Sequence, residues 1–150
     1  MSKMLTTTGE KPFYFPQGLA GFTSAHQFGF IYEGVGDLVC MQSIDQIEAA
    51  FILTPWDEGR LGKPPEVSQE YLSCVHASQE QLAQAEDMLW MLVLNPFADA
   101  AWVTANLRAP ILLNMQARRG VQCIQHDAKL PLRYHWMRHP EQTAVTAASA

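Results

Sequence analysis

The sequence predicts a mainly β fold, a small β-barrel-like domain of about eight antiparallel strands with one or two short helices. Three observations carry that expectation. Short apolar runs recur between turn residues along the middle of the chain, as in all-β domains. Phe28, Phe30 and Tyr32 alternate with Gly29 and Ile31, which sets the aromatics on one strand face because side chains alternate with period two. Ser78, with Gln81 three residues on, carries the reciprocal capping pattern of a helix start and is the best helix signal in the chain.

In chain order, Phe13-Tyr14-Phe15 is a first strand that runs into a turn at Pro16-Gln17-Gly18. The aromatic strand follows and is broken by Gly34 and Gly36. Leu38 to Met41 and Ala49 to Leu53 are a pair joined through Ser43-Ile44-Asp45-Gln46, and Pro55 ends the second because it offers no donor to a ladder. Trp56 to Pro65, with two glycines and two prolines, reads as a long surface loop, and Leu72 to His76 as a strand. A short helix runs from Ser78 to about Asp87. Met88 to Leu94 is apolar in both phases, the pattern of a central strand covered on two sides. Asn95 to Asp99 connects it to a strand at Ala101 to Ala105. Pro110 to Leu113 and Val121 to Gln125 form a hairpin across Asn114 to Gly120, where Gly120 is expected to supply a positive φ. The aromatics of Arg133-Tyr134-His135-Trp136-Met137-Arg138 are expected to close the barrel.

The chain has 150 residues, of which 48% are hydrophobic and 17% charged, enough for one globular domain without metal or disulfide support. The organisation expected is a tail at 1–11, the domain at 12–139 and an Ala/Thr-rich tail at 140–150. The longest apolar run ends at Asn95-Pro96, short of the roughly 18–20 residues of a membrane helix. Neither a secretory leader pattern nor a disulfide framework is present, since three cysteines is an odd count, so a cytoplasmic location is expected.

Net charge is −5 but unevenly spread. Residues 31–90 hold eleven acids against Arg60 and Lys63, whereas residues 101–150 hold six basic residues against Asp127 and Glu141. The acidic half repels a phosphate backbone and suits a basic partner.

Residues that could carry chemistry are few. Cys74 and His76 alternate on the expected strand, Cys123 and His126 are three apart, and the four-residue spacing of His135 and His139 requires a helix that Pro140 would end. No C-x2-C pair, G-x-S-x-G, P-loop or dinucleotide fingerprint occurs, so neither enzyme activity, cofactor nor metal is expected. Two other readings stand beside a binding protein. One is an oligonucleotide-binding barrel using Arg118, Arg119, Arg133 and Tyr134, and the other an enzyme using Cys74 with His76.

Several motifs follow one another in order: Phe15-Pro16-Gln17-Gly18-Leu19-Ala20-Gly21-Phe22, Gln42-Ser43-Ile44-Asp45, Ala50-Phe51-Ile52-Leu53-Thr54-Pro55 and Asn106-Leu107-Arg108-Ala109-Pro110-Ile111-Leu112-Leu113-Asn114. Gly120-Val121-Gln122-Cys123-Ile124 and Pro131-Leu132-Arg133-Tyr134 complete the series. Together, over residues 12–139, they resemble the FliW family of flagellar assembly factors. The resemblance implies a β-barrel-like fold without catalysis. It also implies a monomeric, cytoplasmic protein that binds flagellin and, when free of it, binds and antagonises the translational repressor CsrA. Because CsrA-type proteins are basic on their RNA-binding surfaces, the expected partner-binding residues are Asp45, Glu48, Asp57, Glu58, Glu66 and Glu70. Asn106, Arg108 and Asn114, from the closest-matching stretch, join them, with backbone capping as the alternative role for Asn106. The chain departs from the family in its bulky, unbranched central strand, where Trp90 is expected to pair with Trp102, and in an uncharged C-terminal tail.

Overall fold

The computed structural model describes residues 11–32, 36–84 and 86–139, with the side chain of Tyr32 outside the description. The expected tails (all but Lys11) and the break at Gly34 therefore lie outside the described residues. Nine strands and three short helices occur among them: β1 Phe13–Tyr14, β2 Gln27–Tyr32, β3 Val39–Ser43, β4 Ala50–Pro55, α1 Glu58–Leu61, α2 Gln69–Cys74, α3 Gln79–Gln84, β5 Met88–Asn95, β6 Trp102–Ala105, β7 Ile111–Asn114, β8 Arg119–Gln122 and β9 Tyr134–Arg138.

The strands form one sheet in the order β4-β3-β2-β1-β8-β7-β5-β6-β9, and an added β4–β5 pairing closes seven of them into a barrel. Closure falls on β5 because it is the longest strand. One edge pairs with β4 from Met91 to Leu94, while the other pairs first with β7 and then with β6. The sequence expectation that Tyr134 and Trp136 close the barrel is therefore corrected. They lie on β9, outside the ring, packed against Leu92, Leu94 and Val103. Antiparallel pairing also has one exception, the short parallel match of β1 to β8 at Tyr14 and Arg119.

Alternation along β5 accounts for its two apolar phases. Met91 is fully buried inside the barrel with Phe13, Phe15, Phe28, Phe30, Met41 and Leu53. Its other face is covered twice. Met88 and Trp90 meet a cluster with Leu72 and Val75, whereas Leu92 and Leu94 meet the one beneath β6 and β9. The interior aromatics pack edge to face, with ring centroids 4.9 Å apart for Phe13–Phe30 and 5.1 Å for Phe15–Phe28, the favoured arrangement for aromatic pairs.

Three local expectations change. Leu72 to His76 is not a strand: α2 begins at the N-cap Ser68, whose hydroxyl accepts from the Tyr71 amide, and the three-residue spacing of Leu72 and Val75 puts both in one cluster. The surface loop after Trp56 contains α1, a single turn capped by Asp57. Gly120 does not have a positive φ; Arg118 does, at 56°. Glycine is needed at 120 for space, because a Cβ there would stand 2.6 and 2.8 Å from Cε2 and Cε1 of Phe15. The helix start at Ser78 forms as expected, with Ser78 and Gln81 exchanging side-chain-to-backbone bonds of 3.1 Å each way.

Candidate functional site

Two grooves flank α1. The first, about 450 Å³, is lined by Asp37, Leu38, Thr54, Pro55, Trp56, Asp57, Glu58, Arg60, Trp136 and Met137. The second, about 590 Å³, lies between α1 and α3 and is lined by Glu58, Lys63, Pro64, Pro65, Glu66, Val67, Gln79, Leu82, Ala83 and Trp90. Glu58 belongs to both.

Strand order explains the first groove. β3 pairs antiparallel with β4, with Val39 opposite Leu53, so residues before β3 meet residues after β4. That register brings Asp37 to the end of the barrel that carries Asp57 and Glu58. Asp57 Oδ1 accepts from the Gly59 and Arg60 amides at 3.0 and 3.3 Å, fixing α1 by its first turn. Arg60 then crosses to β9, donating from Nη1 to the Trp136 carbonyl at 3.0 Å and from Nη2 to the His135 carbonyl at 3.1 Å. Its guanidinium lies 4.1 Å from the centre of the Trp136 ring and 5.4 Å from that of Tyr134. The Trp56 indole N–H donates to the Gly62 carbonyl at 2.8 Å, so both tryptophans are held as walls.

The six acids singled out from the sequence are not one patch. Asp57 and Glu58 line the first groove, Glu58 and Glu66 the second, and Glu70 is exposed in the first turn of α2. Asp45 and Glu48 sit in the β3–β4 turn, at the other end of β4, roughly 20 Å away at about 3.3 Å per strand residue. There they share the turn with the exposed Ile44 and Ile47. Asp45 Oδ1 accepts from the Ser43 hydroxyl at 2.8 Å and Oδ2 from the His26 amide at 3.2 Å. The Ser43 bond above all holds this carboxyl below its ordinary pKa; burial opposes it, and the His26 amide adds to the lowering.

The three residues from the Asn106–Asn114 stretch direct their bonds within the chain. Asn106 Oδ1 accepts from the Arg108 amide at 2.9 Å. Arg108 ties the segment before β9 through the Leu130 and Ala128 carbonyls at 2.6 and 3.0 Å. Asn114 is buried, donates to the Val75 carbonyl at 2.8 Å and accepts from the Gln116 and Ala117 amides.

The candidates for other chemistry are also located. Cys74 ends α2, and His76 follows in a turn with φ 56°. Burial raises the Cys74 thiol pKa, with Glu70 adding to it, and burial pushes Cys123 up to about 12, so both are held as neutral thiols. Among the described residues no three His, Cys, Asp or Glu side chains group as metal ligands. His135 lies on β9, stacked on Trp102 with centroids 4.7 Å apart, and Trp90 faces Trp56 at 6.5 Å, so the expected Trp90–Trp102 pairing does not form. Of the residues considered for oligonucleotides, Arg119 donates to the Cys74 carbonyl, Arg118 donates to the Lys11 carbonyl, and Tyr134 lies beneath Arg60. Sequence inspection missed Asp37 and Arg60 as groove residues. The β3–β4 register would have found the first, whereas no local pattern marks the second.

These features define a small closed β-barrel whose grooves are made by added helices and an outer strand pair. A family model described as FliW protein matches residues 2–136, and the chain belongs to that family. A flagellar assembly factor FliW from Nitratidesulfovibrio vulgaris is 31% identical over 134 residues, covering 85% of this chain and 72% of that protein. One from Caldicellulosiruptor saccharolyticus is 24% identical over 134 residues, covering 87% and 83%. A crystal structure of the flagellar assembly factor FliW superposes with a TM-score of 0.69 at 22% identity, covering 83% of this chain and 84% of that one, a likeness of fold.

Proposed function

We propose that this flagellar assembly factor is a non-enzymatic, cytoplasmic binding protein, monomeric when free, with two alternative protein partners. It binds flagellin; when flagellin is exported, the freed protein binds CsrA and relieves its repression of flagellin translation. The observation that carries the reading is family membership over most of the chain, together with an acidic half suited to a basic repressor. Asp57, Glu58, Glu66 and Glu70, which lie around α1 and α2, form the main docking acids, and Asp45 and Glu48 a second patch at the β3–β4 turn. Asn106, Arg108 and Asn114 serve docking by fixing the loops that present it. No helix among the described residues is long and apolar enough to cross a membrane.

The test is a pull-down with purified flagellin and CsrA, each offered separately and then in competition. Capture of each alone and displacement of one by the other is expected; capture of neither removes the reading. Association with CsrA is expected to slow steeply with added salt, because exposed charges steer encounter over about a Debye length.

A further inference from the structure

We propose that the groove between Trp56 and Trp136 is a socket for a single lysine or arginine side chain, carried by an extended segment of a partner protein alongside β9. The proposal deepens the reading above and rests on it for the partner's identity. The groove's volume, about 450 Å³, lies within the range of small-ligand pockets. Its walls and rim select the occupant. Asp37, Asp57 and Glu58 stand against one cation, Arg60, so an anion is repelled. A purely apolar occupant would desolvate those carboxylates without pairing them, which costs more than the apolar contact returns.

A cation on an apolar stem satisfies both parts. Its stem lies along Leu38, Pro55 and Met137 while its head reaches the carboxylates. The chain already contains an example of this chemistry, since Arg60 rests on the Trp136 face 4.1 Å from its centre. That guanidinium covers only the β9 side and is held by the carbonyls of His135 and Trp136. Asp37 and Glu58 line the same groove.

The position of β9 leaves room for an extended occupant that contributes a side chain without pairing its main chain. β9 ends the sheet order, and both Trp136 and Met137 belong to it, so the groove runs along an outer strand. Arg60 takes two successive β9 carbonyls, which blocks main-chain pairing there and leaves recognition to the side chain.

The experiment follows the indole N–H resonances of Trp56 and Trp136 in the full-length protein. An alternating threonine–arginine pentapeptide is titrated in, with the threonine–glutamate and threonine–leucine peptides and spermidine as comparisons. The arginine peptide is expected to move both resonances, and D37N with E58Q to weaken it about tenfold, while E80Q, at an exposed α3 residue that lines neither groove, leaves it unchanged. Equal response to the leucine peptide, or a response that spares Trp56 and Trp136, overturns the socket. Equal or tighter binding of spermidine overturns the protein segment in favour of a free polyamine. The same variants are then offered to CsrA and to flagellin. Unchanged binding of both by D37N/E58Q overturns the socket while the partner reading stands. A wild-type protein that binds the arginine peptide but neither CsrA nor flagellin sinks the partner reading and leaves the socket.

Discussion

Arg60 and Trp136 join two parts of the chain that the sequence keeps 76 residues apart, and the contact depends on an irregularity in β9. Thr104 pairs with His135 and Val103 with Met137, so Trp136 is the extra residue of a bulge. A bulge turns successive carbonyls and re-aims the side chain. Here it offers the carbonyls of His135 and Trp136 together to one guanidinium, with the indole face beneath it. The one-turn helix α1, too short to be stable alone, is thereby fastened to the outer strand pair.

Replacing Arg60 by alanine is expected to destabilise the protein by about 1–2 kcal/mol, well under the sum for buried groups, because water competes for the cation–π contact and both carbonyl bonds at this exposed residue. Lysine is expected to recover less than half, because an ammonium cannot bridge two carbonyls while lying flat on the ring. Urea unfolding monitored by far-ultraviolet circular dichroism checks both variants. Full rescue by lysine would mean that charge alone matters.

Gly120→Ala tests close packing inside the barrel. The added methyl meets Phe15, a fully buried ring that also packs on Phe28, and overpacking of a filled core costs about 1–3 kcal/mol. Phe15→Leu removes the obstructing ring edge, so the double variant is expected to be more stable than the sum of the single effects predicts. Additive effects in a thermal-unfolding cycle would place the cost elsewhere.

Periodicity made much of this architecture legible and missed a definite remainder. The alternation of Phe28 and Phe30, the two apolar phases of β5 and the Ser78–Gln81 exchange are local, so residue spacing reports them directly. The path of closure is not local: β4 finds β5 across three helices because β5 is long enough to hold neighbours on both edges. Leu72 to His76 reads as a strand from sequence because a short apolar run suits either a strand or a buried helix. Ser68 and the Leu72–Val75 spacing were the available correction. Gly120 was marked as special, but its reason lies in Phe15, more than a hundred residues away. As for the grooves, Asp57, Glu58 and Glu66 were legible as acids in a loop, whereas their separation from Asp45 and Glu48 follows only from the length and direction of β4.

Asn114→Ala is expected to cost about 1–3 kcal/mol, because it leaves the Val75 carbonyl without its buried donor and opens the turn before β8. The consequence should be regional. Val75 caps the end of α2, so amides of residues 69–77 are expected to lose hydrogen-exchange protection before those of β2 and β3 do. Uniform loss across the barrel would contradict this.

The β3–β4 turn should register acid through Asp45. Its carboxyl is held below the ordinary value chiefly by the Ser43 hydroxyl, with the His26 amide assisting. A carboxyl whose folded pKa is lowered stabilises the fold above its unfolded pKa, and that contribution disappears as pH falls through the folded pKa. The group is exposed, so its effect on global stability is small and the direct reading is its own titration. Ser43→Ala removes the largest cause, and a carboxyl-carbon titration by nuclear magnetic resonance is expected to show the Asp45 pKa moving up toward that of a free aspartate. His26 and Gln46 amide shifts should follow the same curve, because the Asp45 carboxylate accepts from the first and Ser43, which donates to Asp45, accepts from the second. An unmoved pKa in the alanine variant would show that the backbone amides alone hold the carboxylate.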